Sequence, residues 1–161
     1  MVDHGLSRLG AGQTSERTRR RMIDRLREQG IADEAVLSVM FDTPRHLFLD
    51  EALKHNAYQD VALSIGHQQT ISQPHSVALM TQLVLAGDVK VKRVLDIGTG
   101  CGYQACILSQ LADWVFTVER IGALSLSARE RLQTLGYKNI SYLTGDGYQG
   151  WPNKAPFDAI V

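Results

Sequence analysis

The chain has 161 residues, 44% of them hydrophobic and 21% charged, which is the size and make-up of one globular domain with a real core. Seventeen basic and seventeen acidic residues cancel, which excludes bulk electrostatic attraction to nucleic acid or an anionic membrane as the basis of function. No apolar run approaches the ~20 residues of a membrane span. The first residues lack a secretory signal, and two cysteines make neither a disulfide framework nor a zinc site, so a cytoplasmic protein without a metal is expected.

Residues 1–15 are polar, dotted with glycine, and expected to be loose. A first helix is expected from Glu16 to Gln29, with Met22, Ile23 and Leu26 as its apolar stripe and Gly30 as its stop. Arg17, Arg19, Arg20 and Arg21 are interleaved with acidic residues and read as a solvated helix face. Asp33 is the expected N-cap of a second helix carrying Val36, Leu37, Val39 and Met40. Thr43 and Pro44 read as the cap and first position of a short third helix through Leu47, Phe48 and Leu49 toward Leu53. From His55 to Gln69 no period is sustained. Tyr58, Val61, Leu63 and Ile65 argue against disorder, so a functional irregular segment is expected. Next comes Thr70-Ile71-Ser72-Gln73-Pro74-His75, where Ser72 or Gln73 caps a helix with Pro74 in its first turn. Val77, Leu79, Met80, Leu83 and Val84 are expected to line that helix, and Gly87 to end it.

The stretch Val94 to Tyr103, VLDIGTGCGY, organises the rest of the chain. A short apolar run ends in Asp96 and Ile97, three glycines come next, and Ala105, Ile107, Leu108 and Leu111 then recur at helical spacing. Strand, glycine turn and helix form the opening unit of a doubly wound α/β fold, with a nucleotide-like ligand at the strand's carboxyl end. The pattern is G-x-G-x-G, with Tyr103 where a dinucleotide fingerprint has its last glycine. Asp96, placed beside the cradle, would repel a diphosphate but suit a cationic ligand. S-adenosylmethionine carries an ammonium, a sulfonium and no phosphate, so the loop Asp96, Gly98, Thr99, Gly100, Gly102 favours a methyltransferase over a dehydrogenase.

Trp114 to Glu119 reads as a second strand, and Glu119 lies 23 residues after Asp96, near the ~20-residue offset at which a carboxylate meets ribose hydroxyls in such folds. A helix from about Ala123 to Leu135, stopped by Gly136, and a third strand from Ile140 to Leu143 come after it. Asp146, in Gly145-Asp146-Gly147, is placed to accept from an exocyclic amine such as that of adenine. Phe157 to Val161 starts a buried fourth strand pairing beside the first.

Together these segments resemble the protein-L-isoaspartate O-methyltransferases over roughly Arg21 to Val161, through residues 44–48 (PRHLF), 70–75 (TISQPH), 94–104 (VLDIGTGCGYQ), 118–121 (VERI), 145–151 (GDGYQGW) and 156–161 (PFDAIV). The glycine loop is shared by many methyltransferases; the TISQPH stretch with VERI and GDG is specific to this family. The resemblance implies a Rossmann-like class I S-adenosylmethionine-dependent methyltransferase fold, with a partial sheet and an N-terminal helical extension. Residues 1–90 would form the helical segment with the active-site loop, and residues 91–161 the cofactor-binding core. It implies S-adenosylmethionine as cofactor and a cytosolic repair enzyme that methylates the α-carboxylate of L-isoaspartyl residues in damaged proteins and peptides, with no nucleic-acid or membrane partner. By the same resemblance Ser72 matches the active-site serine, and Thr70, Ile71, His75, Gly98, Glu119, Asp146 and Gly147 match cofactor-contacting positions. A carboxylate is already ionised at neutral pH, so no strong base is required, and the Ser72 hydroxyl suffices to orient it.

Three departures accompany the resemblance. Gln68 stands where the family has a glycine and is strained there if that position takes a positive φ. Ser64 replaces a proline. The family also continues past Val161, so the chain is expected to be truncated, poorly soluble or self-associating, and to have little or no methyltransferase activity. Two alternatives to the enzyme are therefore an inactive adenosyl-binding module and a nicotinamide-dependent oxidoreductase. Cys101, at a helix start, is expected to react with alkylating agents in a cofactor-sensitive way, and Cys106 only slowly.

Overall fold

The computed structural model describes residues 15–87 and 90–161, which form two compact units parting between Gln82 and Leu83. The expectation for the first fourteen residues lies outside the described part.

In the first unit, helix α1 spans Glu16–Glu28 and buries Met22, Ile23 and Leu26, and Gly30 comes just after it at φ 95°. The solvated-face reading fails at Arg19, which is buried, with its guanidinium carbon 5.4 Å from the centroid of the Phe41 ring. A planar guanidinium stacks on an aromatic face and buries its stem with it, which one-dimensional charge patterning does not register. Helix α2, Glu34–Asp42, is capped by Asp33, whose carboxylate accepts from the amides of Ala35 and Val36. The expected third helix is instead two 3-10 turns, Arg45–Phe48 and Glu51–Asn56, with Pro44 just outside the first.

The aperiodic segment holds a small hairpin: β1, Leu63–Ser64, pairs antiparallel with β2, Thr70–Ile71. Two-residue strands carry no readable alternation. Its loop runs through three consecutive left-handed residues, Gly66 at φ 83°, His67 at 52° and Gln68 at 57°. The strain expected at Gln68 is therefore real. A left-handed non-glycine residue costs ~1–2 kcal/mol, partly offset by the ~0.5–1 kcal/mol of extra chain entropy that glycine loses on folding. Gln68→Gly is expected to stabilise by about 0.5–1 kcal/mol and raise Tm by about 2–3 °C; calorimetry giving an unchanged or lower Tm would count against it. Helix α3, Pro74–Leu85, comes next, burying Pro74, Val77, Ala78 and Thr81. Leu79 and Leu83, expected to line it, are exposed at 38% and 65%.

The second unit is a four-stranded parallel sheet in the order β5-β4-β3-β6, formed by β3, Arg93–Ile97, β4, Trp114–Glu119, β5, Ile140–Thr144, and β6, Ala159–Ile160. Helices α4, Tyr103–Ser109, and α5, Gly122–Thr134, are the crossovers. As expected, the strand that leads into the glycine turn is central, and the one beginning near Phe157 pairs beside it. Leu95, Phe116 and Val118 form a core with Leu143, Trp151 and Phe157 against it, and Arg93 lies over the Phe116 ring at 4.6 Å. Among the described residues no helix is long and apolar enough to cross a membrane.

Candidate active site

The site grows from the carboxyl ends of β3, β4 and β5. At the first of these the chain turns through Gly98, Gly100 and Gly102, all with positive φ, while the amides of Gly98 and Thr99 donate to the Val118 carbonyl at 2.8 and 3.3 Å. The three glycines do different work. A Cβ on Gly98 would meet nothing within 4 Å, so that side of the loop is open; on Gly102 it would meet Leu132 Cδ1 at 2.8 Å and Ala128 Cβ at 3.4 Å. Gly102 is buried and lets α5 pack close, a packing role that the sequence did not show. This is the task of the last glycine in a dinucleotide fingerprint, performed here one residue before Tyr103.

Glu119 ends β4 and is 6% exposed. Its Oε2 accepts from the Gly100 amide and its Oε1 from the Ile121 amide, each at 2.9 Å. The carboxylate thus pins the glycine loop, and each oxygen retains a lone pair for a further donor. At the end of β5, Asp146 is exposed and its Oδ1 accepts from the Tyr148 amide at 3.0 Å. The Gly145 amide donates to the Glu119 carbonyl at 3.0 Å. A Cβ on Gly147 would lie 2.5 Å from Ile97 Cγ2, so glycine is required for this turn to close on the end of β3. Gly98, Glu119, Asp146 and Gly147 are therefore gathered on one edge, the edge where doubly wound sheets take ligands.

Asp96 is placed otherwise than expected. It is 2% exposed, and its Oδ2 accepts from Thr117 Oγ1 at 2.6 Å, which in turn lies 2.6 Å from Thr99 Oγ1. The carboxyl faces its register partner Thr117 across the sheet and is not the open anion proposed for a cationic ligand. Thr99, also buried, spends its hydroxyl on the same chain of bonds. Burial, reinforced by the charge of Glu119 and opposed by the Thr117 hydrogen bond, pushes Asp96 up to about 7. Thr117 escaped the sequence reading, although a threonine two residues before Glu119 in an apolar strand shares its face. Arg131 escaped it too; its Nη1 donates to the Cys101 carbonyl at 2.9 Å.

Both cysteines are buried, Cys101 at 6% and Cys106 at 0% exposure, and burial pushes the Cys106 thiol up to about 12. The expected reactivity of Cys101 is corrected: a thiol that water barely reaches does not meet an alkylating agent in the folded chain. Among the described residues no group of three or more His, Cys, Asp or Glu side chains is placed to hold a metal ion.

The remaining candidates lie in the first unit. Thr70 and Ser72 are exposed, Ile71 is buried and His75 half-buried. Of the two candidate caps, the structure selects Gln73, whose carbonyl accepts from the Val77 amide. Ser72 stands one residue earlier, its carbonyl accepting from Arg45 Nη2 at 2.7 Å. The His75 amide donates to Asp60 Oδ1 at 2.9 Å.

A parallel sheet with a glycine-rich first turn and an acidic residue ending the second strand is the Rossmann-like arrangement, and the family and structural matches place the chain among the S-adenosylmethionine-dependent methyltransferases of that fold. Within that class, residues 17–161 match the family described as protein-L-isoaspartate(D-aspartate) O-methyltransferase, and the chain belongs to it. It is 55% identical over 152 residues to the protein-L-isoaspartate O-methyltransferase of Cellvibrio japonicus, covering 94% of this chain and 68% of that one. A solved protein-L-isoaspartate O-methyltransferase superposes with a TM-score of 0.76 at 29% identity, covering 88% of this chain and 46% of that one, so this chain spans less than half of that structure's length. A Plasmodium falciparum homologue in complex with S-adenosyl-L-homocysteine superposes at 0.71 over 88% of this chain and 71% of its own; at 24% identity it shows the fold alone. Family membership sets aside the nicotinamide-dependent oxidoreductase.

Proposed function

We propose that this chain holds S-adenosylmethionine on the glycine loop and transfers its methyl group to the α-carboxylate of L-isoaspartyl residues in proteins and peptides, as a cytoplasmic repair enzyme. The observation that carries the reading is the Glu119 carboxylate fixed 2.9 Å from the Gly100 amide, beside a loop open at Gly98. These residues fit the cofactor: Glu119 and Asp146 are acceptors for its hydroxyls and its amine. Glu119 would hold the ribose hydroxyls, Asp146 the adenine amine, and the backbone at Gly98, Gly100 and Gly147 the close approach; Thr70, Ile71 and His75 are further proposed cofactor contacts. Asp96, Thr99 and Gly102 shape the loop from within. When bound, S-adenosylmethionine supplies a methyl group on a positively charged sulfur. The chain's contribution is orientation: the exposed Ser72 hydroxyl donates a hydrogen bond to the acceptor carboxylate, which is already ionised and needs no base.

The test is an assay with methyl-labelled cofactor, an isoaspartyl peptide and its normal aspartyl counterpart. Base-labile label on the isoaspartyl peptide alone is expected, with Ser72→Ala lowering the rate more than the affinity for S-adenosylhomocysteine. Binding of S-adenosylhomocysteine without any methyl ester would leave an adenosyl-binding module in place of the enzyme.

A further inference from the structure

Arg45 is 0% exposed, in the first 3-10 turn. Its Nε donates to the Ala57 carbonyl at 2.8 Å and its Nη2 to the Ser72 carbonyl at 2.7 Å. The next residue, His46, is hydrogen bonded through Nδ1 to the Tyr58 hydroxyl at 2.8 Å, so two consecutive side chains fasten this turn to residues 57 and 58. Three residues beyond Ser72, the His75 amide is held by Asp60 Oδ1 at 2.9 Å, and Asp60 Oδ2 is steadied by Gln29 Nε2 at 2.9 Å.

A buried cation is a costly way to fill space, and apolar residues of similar volume generally do so as well or better. Here its fork is spent on two main-chain carbonyls from segments far apart in the chain. The Ser72 side chain is exposed, so the point from which its hydroxyl reaches out is set by its backbone, and that backbone is held at its own carbonyl by Arg45 and at the start of α3 by Asp60.

We infer that Arg45, seconded by Asp60, is a positioning residue for methyl transfer: it touches neither reactant and fixes the backbone from which Ser72 meets the acceptor carboxylate. The inference rests on the assignment of Ser72 to that carboxylate. A lysine keeps the charge but lacks the planar fork that spans two carbonyls, so Arg45→Lys isolates the geometry.

The experiment compares the wild-type chain, Arg45→Lys and Asp60→Ala by three measurements: kcat/KM with isoaspartyl peptide, Kd for S-adenosylhomocysteine by calorimetry, and hydrogen exchange of the amides. Arg45→Lys is expected to lower kcat/KM roughly ten- to hundredfold, the scale of a small misplacement of a reacting group. Kd should be unchanged, and exchange should quicken at residues 70–76 but not in the glycine loop. Asp60→Ala should act in the same direction and carries the test where Arg45→Lys does not fold. Unchanged kcat/KM in both variants overturns the inference, as does a loss of activity matched by equal losses of cofactor affinity and of protection throughout the chain, which marks a merely structural arginine. Absence of methyl transfer in the wild-type chain would instead refute the functional assignment. The exchange data then decide alone: selective quickening at 70–76 upholds the clamp, and a uniform or absent change overturns it.

Discussion

Glu119→Ala is expected to weaken binding of S-adenosylhomocysteine at least a hundredfold. In the proposed site two ribose hydroxyls lose a charged acceptor, and hydrogen bonds to charged groups contribute ~1.5–3 kcal/mol each, so the pair accounts for ~3 kcal/mol or more, about a hundredfold in Kd. The structure adds a second loss. The same carboxylate accepts from the amides of Gly100 and Ile121, so its removal frees the turn that the adenosyl group must meet already formed, and ordering it then becomes a cost of binding. Glu119→Gln separates the two contributions. Its amide oxygen still serves one of the two backbone N–H groups, while its NH2 opposes the other. An intermediate Kd is expected, with the loop better protected from hydrogen exchange than in the alanine variant. An alanine variant that binds with wild-type Kd in calorimetry would remove Glu119 from the cofactor site.

Asp96 is expected to make the protein less stable as pH rises from about 4 to about 7. Its carboxyl is held at about 7 in the folded chain, against ~3.9 when exposed. Between those values the folded state keeps a proton that the unfolded state has released, so the contribution to stability is full below the unfolded value and is lost as pH climbs through the folded one. The gap of about three units corresponds to at most about 4 kcal/mol. His46 acts with the opposite sign. Burial, with Lys54 and Arg19 near, holds it below its ordinary range, so it favours unfolding as pH falls through ~6.5. The reference is therefore Asp96→Asn, which keeps the shape and an acceptor for the Thr117 hydroxyl but does not titrate. The Tm of this variant minus that of the wild-type chain should grow by several degrees between pH 4 and pH 8. A difference that stays flat across that range would show Asp96 ionised inside the sheet.

Much of this protein is written locally. Strand β4 spans the expected residues Trp114–Glu119, because an apolar run bounded by polar residues is decided by neighbours in the chain. The stops at Gly30 and Gly136, the cap at Asp33 and the turns at Gly98 and Gly100 were legible for the same reason: each needs a backbone angle or side-chain reach that few residue types supply. The strain at Gln68 was legible because a glycine was expected at a positive φ. The edge that gathers Gly98, Glu119 and Asp146 stems from the order of strands and helices alone.

The features that only the tertiary structure decided depend on partners distant in sequence. Asp96 reads as an open anion until the sheet brings Thr117 within 2.6 Å. Gly102 shows no packing role until α5 sets Leu132 against it. Arg19 reads as a surface charge, and no local pattern announces that an aromatic ring will cover it or that Arg45 will be buried with its guanidinium on two carbonyls, Ala57 and Ser72. Periodicity and turn chemistry report the conformation a segment adopts by itself. Which polar groups are buried and what they hold are settled when segments pack, because a buried donor or charge must find its partner wherever the fold supplies one.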